Sequence, residues 1–143
     1  MTARDSVDLD ARAGELAGLV SRLARTLARE GLPLSRTRLS VLATLRVDGP
    51  LRVTDLAALE HVAQPTMTTL VSRLVEEGWV ERRPEPADGR VVKVALTPAG
   101  EHVLDRAIDL RDQALRARLA RLSPEQQTAL LGALDGLRAL VEG

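Results

Sequence analysis

Residues 64–100 read QPTMTTLVSRLVEEGWVERRPEPADGRVVKVALTPAG, and two structural periods meet inside that stretch. Gln64-Pro65 opens a helix, with Pro65 at the first helical position, where its missing N–H costs nothing. Met67, Leu70, Val71 and Leu74 then recur at i, i+3, i+4 and i+7, one apolar stripe on an otherwise polar helix. Gly78 stops it as a C′ residue does. From Trp79 the pattern is that of strands. Trp79–Arg83 and Val91–Leu96 predict two short strands, and Pro84–Arg90 between them predicts a polar, mobile turn. Thr97-Pro98 then caps and starts another helix.

Working outward, Leu9, Leu16, Leu19, Val20, Leu23 and Leu27 form a helical stripe over 9–30, ended by Gly31 and Pro33. Ser35 caps a second helix that runs to Asp48-Gly49-Pro50, and a short third spans Thr54 to His61. The helix after Thr97 continues to about Leu122. Ser123-Pro124-Glu125-Gln126 resembles a capping box and opens a last helix through Leu130, Leu131, Leu134, Leu137 and Leu140. The expected order is four helices, a hairpin, a long helix and a final helix. It is a mainly α fold with a small β-hairpin, a helix-turn-helix followed by a two-stranded wing. The terminal helices are more apolar than a lobe of this size buries, so they must pack on something else. We expect one domain over 1–143, with a winged helix-turn-helix lobe at 34–97 and dimerisation helices at 9–30 and 98–141. Leu16, Leu19, Leu23, Leu115, Leu119, Leu130, Leu134 and Leu137 carry the dimerisation face.

The 143 residues suit one domain with a sizeable core, and 45% apolar with 28% charged residues excludes the disordered class. The absence of cysteine removes disulfide scaffolds, thiol nucleophiles, Cys-ligated zinc and thiol redox sensing. With His61 and His102 as the only histidines, no metal centre and no cofactor are implied. His61 is read as a partly buried or C-capping residue, with phosphate contact as the alternative. His102 has Glu101 and Asp105 nearby but no third ligand. No apolar run reaches the ~20 residues of a membrane span and the first ten residues are too polar for a signal peptide, so a cytoplasmic location without membrane association is expected. Twenty basic residues balance twenty acidic ones, so any nucleic-acid site must come from placement. Trp79 is the only aromatic residue, which excludes stacking platforms for single strands.

Placement does favour duplex DNA. Opposite the apolar stripe of the fourth helix lie Gln64, Pro65, Thr66, Thr68, Thr69, Ser72 and Arg73. In a helix-turn-helix the second helix enters the major groove with its N-terminal side chains at base edges. Gln64 can pair with adenine, the threonines can bond a base or touch a thymine methyl, and Ser72 and Arg73 suit phosphate. The wing gathers Arg82, Arg83, Arg90 and Lys93, cations that fit the electronegative minor groove or the phosphates, although Glu81, Glu85 and Asp88 nearly cancel them. Asp88 can support the wing either by pairing with its arginines or by bonding turn amides. Arg36 and Arg38 could add phosphate contacts, a solvated face being the alternative.

Val53-Thr54-Asp55-Leu56-Ala57, Gln64 to Val71, Leu74 to Arg82, Pro86-Ala87-Asp88-Gly89-Arg90 and Leu96 to Gly100, in this order and spacing, resemble the MarR family of bacterial regulators. The similarity in element order runs from about residue 9 to 141, and its specific part from 51 to 101. The resemblance implies a homodimer of two winged-helix lobes straddling a pseudo-palindromic double-stranded site. It also implies repression relieved by a small anionic or phenolic effector held between dimer helices and lobe. By the same resemblance Arg90 is the minor-groove arginine, Asp88 its holding acid, and Thr66, Thr68 and Thr69 face bases. Three departures stand out. Arg52 replaces a frequent Ser or Thr cap, Gly89 a basic wing residue, and Thr69 a frequent arginine, pointing to modest affinity or an unusual site. The scarcity of aromatics leaves little to line an effector pocket of the usual kind.

The alternative reading is a winged-helix dimer acting as a protein-interaction module, favoured by the neutral charge. An enzyme is not expected: no nucleophile–base pair, phosphate loop or metal spacing is visible.

Overall fold

The computed structural model describes the backbone of residues 3–143 and the side chains from residue 8 onward. Among these residues the order is α1 (Ala3–Glu30), α2 (Arg36–Asp48), α3 (Val53–Leu59), α4 (Gln64–Glu76), β1 (Val80–Pro84), β2 (Val92–Leu96), α5 (Pro98–Leu119), α6 (Pro124–Gly132) and α7 (Leu134–Glu142). The fold is mainly α with one antiparallel hairpin, a winged helix-turn-helix carrying long outer helices.

Local chemistry sets most boundaries. The Ser35 hydroxyl accepts from the Arg38 amide at 3.3 Å and begins α2. Ser123 and Gln126 form a reciprocal capping box at α6, and the Ser123 hydroxyl, with the Glu125 amide, holds the Glu125 carboxyl below the usual carboxylate range. α4 ends in a Schellman motif: Trp79 N–H donates to the Leu74 carbonyl and Gly78 N–H to that of Val75, with Gly78 at φ 75°. Trp79 therefore belongs to the cap, and β1 starts one residue later than the sequence predicts. α3 starts directly after Arg52, whose side chain makes no capping bond.

α3 ends in the same motif. His61 N–H donates to Ala58 O and Val62 N–H to Ala57 O. His61 occupies the left-handed position at φ 53°, which glycine usually fills, and it is exposed, so the partly buried reading is corrected. At the other end, α5 stops at Leu119: Ala120 N–H still reaches Arg116 O, and Arg121 and Leu122 then tighten into i−3 bonds before the Ser123 cap. The last predicted helix is in fact two. Ala133 N–H bonds Leu130 O at 3.3 Å and the ladder restarts with Leu137 N–H to Ala133 O, a break beside Gly132, a poor helix former.

One core binds the lobe to α5: Val41, Leu42, Leu45, Leu56, Met67, Val71, Leu74, Val80, Val94 and Leu104 are buried together. The wing is anchored twice. β1 pairs β2 with Val80 opposite Leu96, and Leu51 exchanges both backbone bonds with Val94. At its base, the Thr97 hydroxyl donates to Gly78 O at 2.6 Å and accepts from Gly100 N–H at 3.1 Å. Gly100 is required there, since a Cβ would lie 2.0 Å from the Trp79 carbonyl oxygen.

The outer helices behave differently. α5 packs on α1 and α2, held by Arg46 with Glu101 and Asp105 and by Arg118 with Glu30. α6 and α7 bury no residue, and Gln127 Nε2 ties α6 to Leu119 O. Leu16, Leu19, Leu23, Leu130 and Leu134 are exposed, together with Leu9, Val20, Leu131 and Leu140. Leu115, Leu119 and Leu137 are half-buried. No described helix is long and apolar enough to cross a membrane.

Candidate nucleic-acid interface

Met67, Val71 and Leu74 fix α4 in the core, which fixes what its other face presents. Gln64, Pro65, Thr66, Thr68, Thr69 and Arg73 are exposed, and Ser72 is half-buried. Ala63, the N-cap, has no side-chain acceptor, and no acidic residue lies in the first turn. The helix therefore begins with unsatisfied amides and the positive end of its dipole, a combination that suits a phosphate.

The hydroxyls on this face are pre-set. Thr68 Oγ1 donates to Gln64 O at 2.9 Å, Thr69 Oγ1 to Pro65 O at 3.1 Å and Ser72 Oγ to Thr68 O at 3.0 Å. Each of these two threonines has thus committed its one hydroxyl proton to the helix. It offers a free oxygen lone pair, able to accept from adenine N6 or cytosine N4, and a methyl group for thymine. Ser72 Oγ also accepts from Arg82 Nη2 at 3.1 Å, so this side chain ties the helix to β1.

A depression of about 360 Å³ flanks α4, lined by Ser35, Arg38, Thr66, Thr69, Leu70 and Arg73. Arg73 is exposed and in no ion pair among the described residues. Arg38, expected at phosphate, is engaged within the chain: it pairs with Glu77, and its guanidinium carbon lies 4.9 Å from the Trp79 ring centroid. Arg36 lies elsewhere, lining a separate cavity between α1, α2 and α5.

In the wing, Asp88 takes the second of its two anticipated roles. Its Oδ1 accepts from the Arg90 backbone N–H at 3.1 Å, shaping the turn and leaving the Arg90 guanidinium exposed. Arg83 pairs with Glu81 and Lys93 with Glu85, so Lys93 is neutralised in this conformation. Arg52, exposed at the start of α3, was not expected at DNA, whereas Arg82, one of the anticipated wing cations, bridges to Ser72. Arg52 carries no local sequence signal for DNA contact beyond its charge. His102 is exposed, and no group of three metal-binding side chains exists among the described residues.

A buried-stripe second helix, an uncapped polar N-terminus and a hairpin with an exposed arginine define a winged helix-turn-helix protein of the transcription-regulator class. A sequence model of the MarR family matches residues 34–92. The chain is 37% identical to an uncharacterised HTH-type transcriptional regulator of Mycobacterium bovis, covering 95% of this chain and 97% of the relative. It is 31% identical to the multiple antibiotic resistance protein MarR of Escherichia coli, over 70% of this chain and 69% of that one. A transcriptional regulator of Thermotoga maritima superposes with a TM-score of 0.75 at 26% identity, covering 90% of this chain and 95% of that chain. MepR of Staphylococcus aureus, solved bound to an oligodeoxyribonucleotide, has the same fold, with a TM-score of 0.69 at 16% identity and coverage of 91% and 97%. The chain belongs to the MarR family, whose members are DNA-binding transcription regulators and not enzymes.

Proposed function

We propose that the protein is a homodimeric repressor that binds a pseudo-palindromic duplex operator and is released by a small molecule. The observation that carries the DNA reading is the exposed polar start of α4 set beside the Arg90 wing. Gln64, Pro65, Thr66, Thr68 and Thr69 read base edges. Arg38, Ser72, Arg73 and Lys93 contact phosphate or flank it, Arg36 being left to the separate cavity it lines, and Arg90 enters the minor groove with Asp88 holding its turn. For Arg38 and Lys93 this requires exchanging Glu77 and Glu85 for phosphate oxygens. Residues 34–97 form the DNA-binding lobe, and 9–30 with 98–141 the dimerisation helices.

Support for the dimer is independent of DNA. Leu16, Leu19, Leu23, Leu130 and Leu134 leave more leucine in water than a monomer tolerates, and a two-fold partner would bury it. The effector reading rests on the cavity that α1 and α5 form with α2, at the junction of the outer helices and the lobe.

The test is fluorescence anisotropy of labelled DNA from upstream of the protein's own gene, against scrambled DNA, over a salt series. Tight, sequence-dependent binding by two chains with a steep salt slope is expected. Wing ion pairs and zero net charge favour one competing reading, a protein-interaction module. Salt-insensitive or absent binding to any duplex would select it.

A further inference from the structure

The cavity between α1, α2 and α5 opens to solvent and measures about 570 Å³, the size of a small-molecule pocket. Its walls are aliphatic: Leu27, Leu39, Ala43, Leu104, Ala107 and Ile108 contribute, with Leu27, Leu104 and Ala107 buried. None of its lining residues is acidic or aromatic, and Ser40 supplies the one neutral hydroxyl. Two cations complete the lining, Arg36 and Arg111, both exposed, so the charge sits at the mouth and the apolar surface inside. Arg111 is bonded to Asp112 at 3.1 Å, whereas Arg36 has no carboxylate partner among the described residues.

That arrangement selects a ligand chemistry. A neutral apolar molecule would fill the walls but leave Arg36 unanswered. A small phenol or aromatic acid would find no ring to stack on and would leave much of the volume empty. A flexible aliphatic chain conforms to leucine, isoleucine and alanine walls, and a terminal carboxylate matches a guanidinium fork. We propose that this cavity binds an aliphatic monocarboxylate, its head group on Arg36 with Arg111 beside it and its chain along Leu27, Leu104 and Ile108. The inference rests on the effector reading above and names the chemical class of that effector.

The test is calorimetric titration of the full-length protein, without DNA, using octanoate, decanoate and dodecanoate below their aggregation concentrations, with 1-decanol and salicylate as comparators. Saturable binding should tighten by about threefold per added methylene, the gain expected from burying apolar chain. Decanoate should bind about tenfold more tightly than 1-decanol, the difference a charge-assisted contact supplies. Arg36→Gln should bring decanoate to the decanol level and leave decanol unchanged. Ala43→Leu, which narrows the cavity, should weaken both. Absence of saturable binding by any acid overturns the proposal, as does indifference to Arg36→Gln or tighter binding of salicylate than of decanoate. The operator titration is read separately. Acid binding without operator binding keeps the ligand class and removes the repressor. Operator binding without acid binding does the reverse.

Discussion

The guanidinium of Arg38 on α2 stacks over the Trp79 ring, 4.9 Å from its centroid, while its terminal nitrogen pairs with Glu77 at the end of α4. One side chain thus joins the second helix to the point where the recognition helix turns into the wing. The stacking has a planar donor, a half-buried indole and an ion pair acting together. We expect Arg38→Ala to lower unfolding stability by about 1 kcal/mol, a cation–π contact with a modest ion-pair contribution. Urea unfolding followed by circular dichroism at fixed protein concentration measures it. A change inside the ordinary surface range of about 0.5 kcal/mol would show that the contact stabilises nothing.

Gly100 is the position least tolerant of a methyl group. Its added Cβ would meet the Trp79 carbonyl oxygen at 2.0 Å and the Leu96 side chain at 2.7 Å. The carbonyl cannot retreat easily, because it also accepts from Thr97 N–H. Gly100→Ala should cost about 3 kcal/mol or more, the upper range for overpacking. A wild-type unfolding curve for this variant would refute the close approach.

His61 offers the opposite case. It holds φ 53° at the C′ position of α3 and is exposed, so its side chain contributes little that glycine would lose. His61→Gly should stabilise by about 0.5 kcal/mol, because glycine adopts this conformation without steric cost. Destabilisation would mean that the imidazole makes a contact of its own.

On DNA, Thr68 and Arg90 should separate by type of effect. Thr68 carries a lone pair and a methyl on a rigid helix, so Thr68→Ala should cost about 1 kcal/mol at one base pair and little elsewhere. Arg90→Ala should weaken binding to every duplex by about tenfold and reduce the salt slope by about one. Competition titrations over single-base operator variants distinguish the two. Uniform losses from Thr68→Ala would remove its base-reading role.

The exposed leucines of the outer helices give the dimer its own test. A charge placed at Leu19 or Leu134, as Glu, would be buried against the partner and unpaired. Each variant should shift sedimentation from two chains to one at micromolar concentration. A wild-type sedimentation profile for both would place the interface elsewhere.

What could be read from the sequence was whatever is decided within a few residues. Ser35, Thr97 and Ser123 cap their helices because an N-cap bond spans three residues. Gly78 was legible for the same reason, since the Schellman motif favours glycine by conformation. His61 fills the same geometry without the residue type that announces it, so its capping place stood beside a partly buried alternative that its exposure removes. Asp88 was open between two partners until the turn was built, because pairing and amide bonding need different turn shapes. Arg38 and Trp79 lie 41 positions apart, and nothing local in either predicts the stack. The two exposed hydroxyl-bearing residues at Thr68 and Thr69 could be placed on a face, but only the helix geometry reveals that their protons are already committed.

The single indole has a practical consequence. With no tyrosine and no other tryptophan in the chain, near-ultraviolet fluorescence comes from Trp79 alone. That ring sits at the hinge between recognition helix and wing, under a guanidinium carried by the helix that also walls the apolar cavity. The protein therefore contains a native optical reporter at the junction of recognition helix and wing, next to the helix that walls the cavity. Quenching and emission colour can follow operator docking and cavity filling in the same unlabelled sample, and stopped-flow mixing can order them in time.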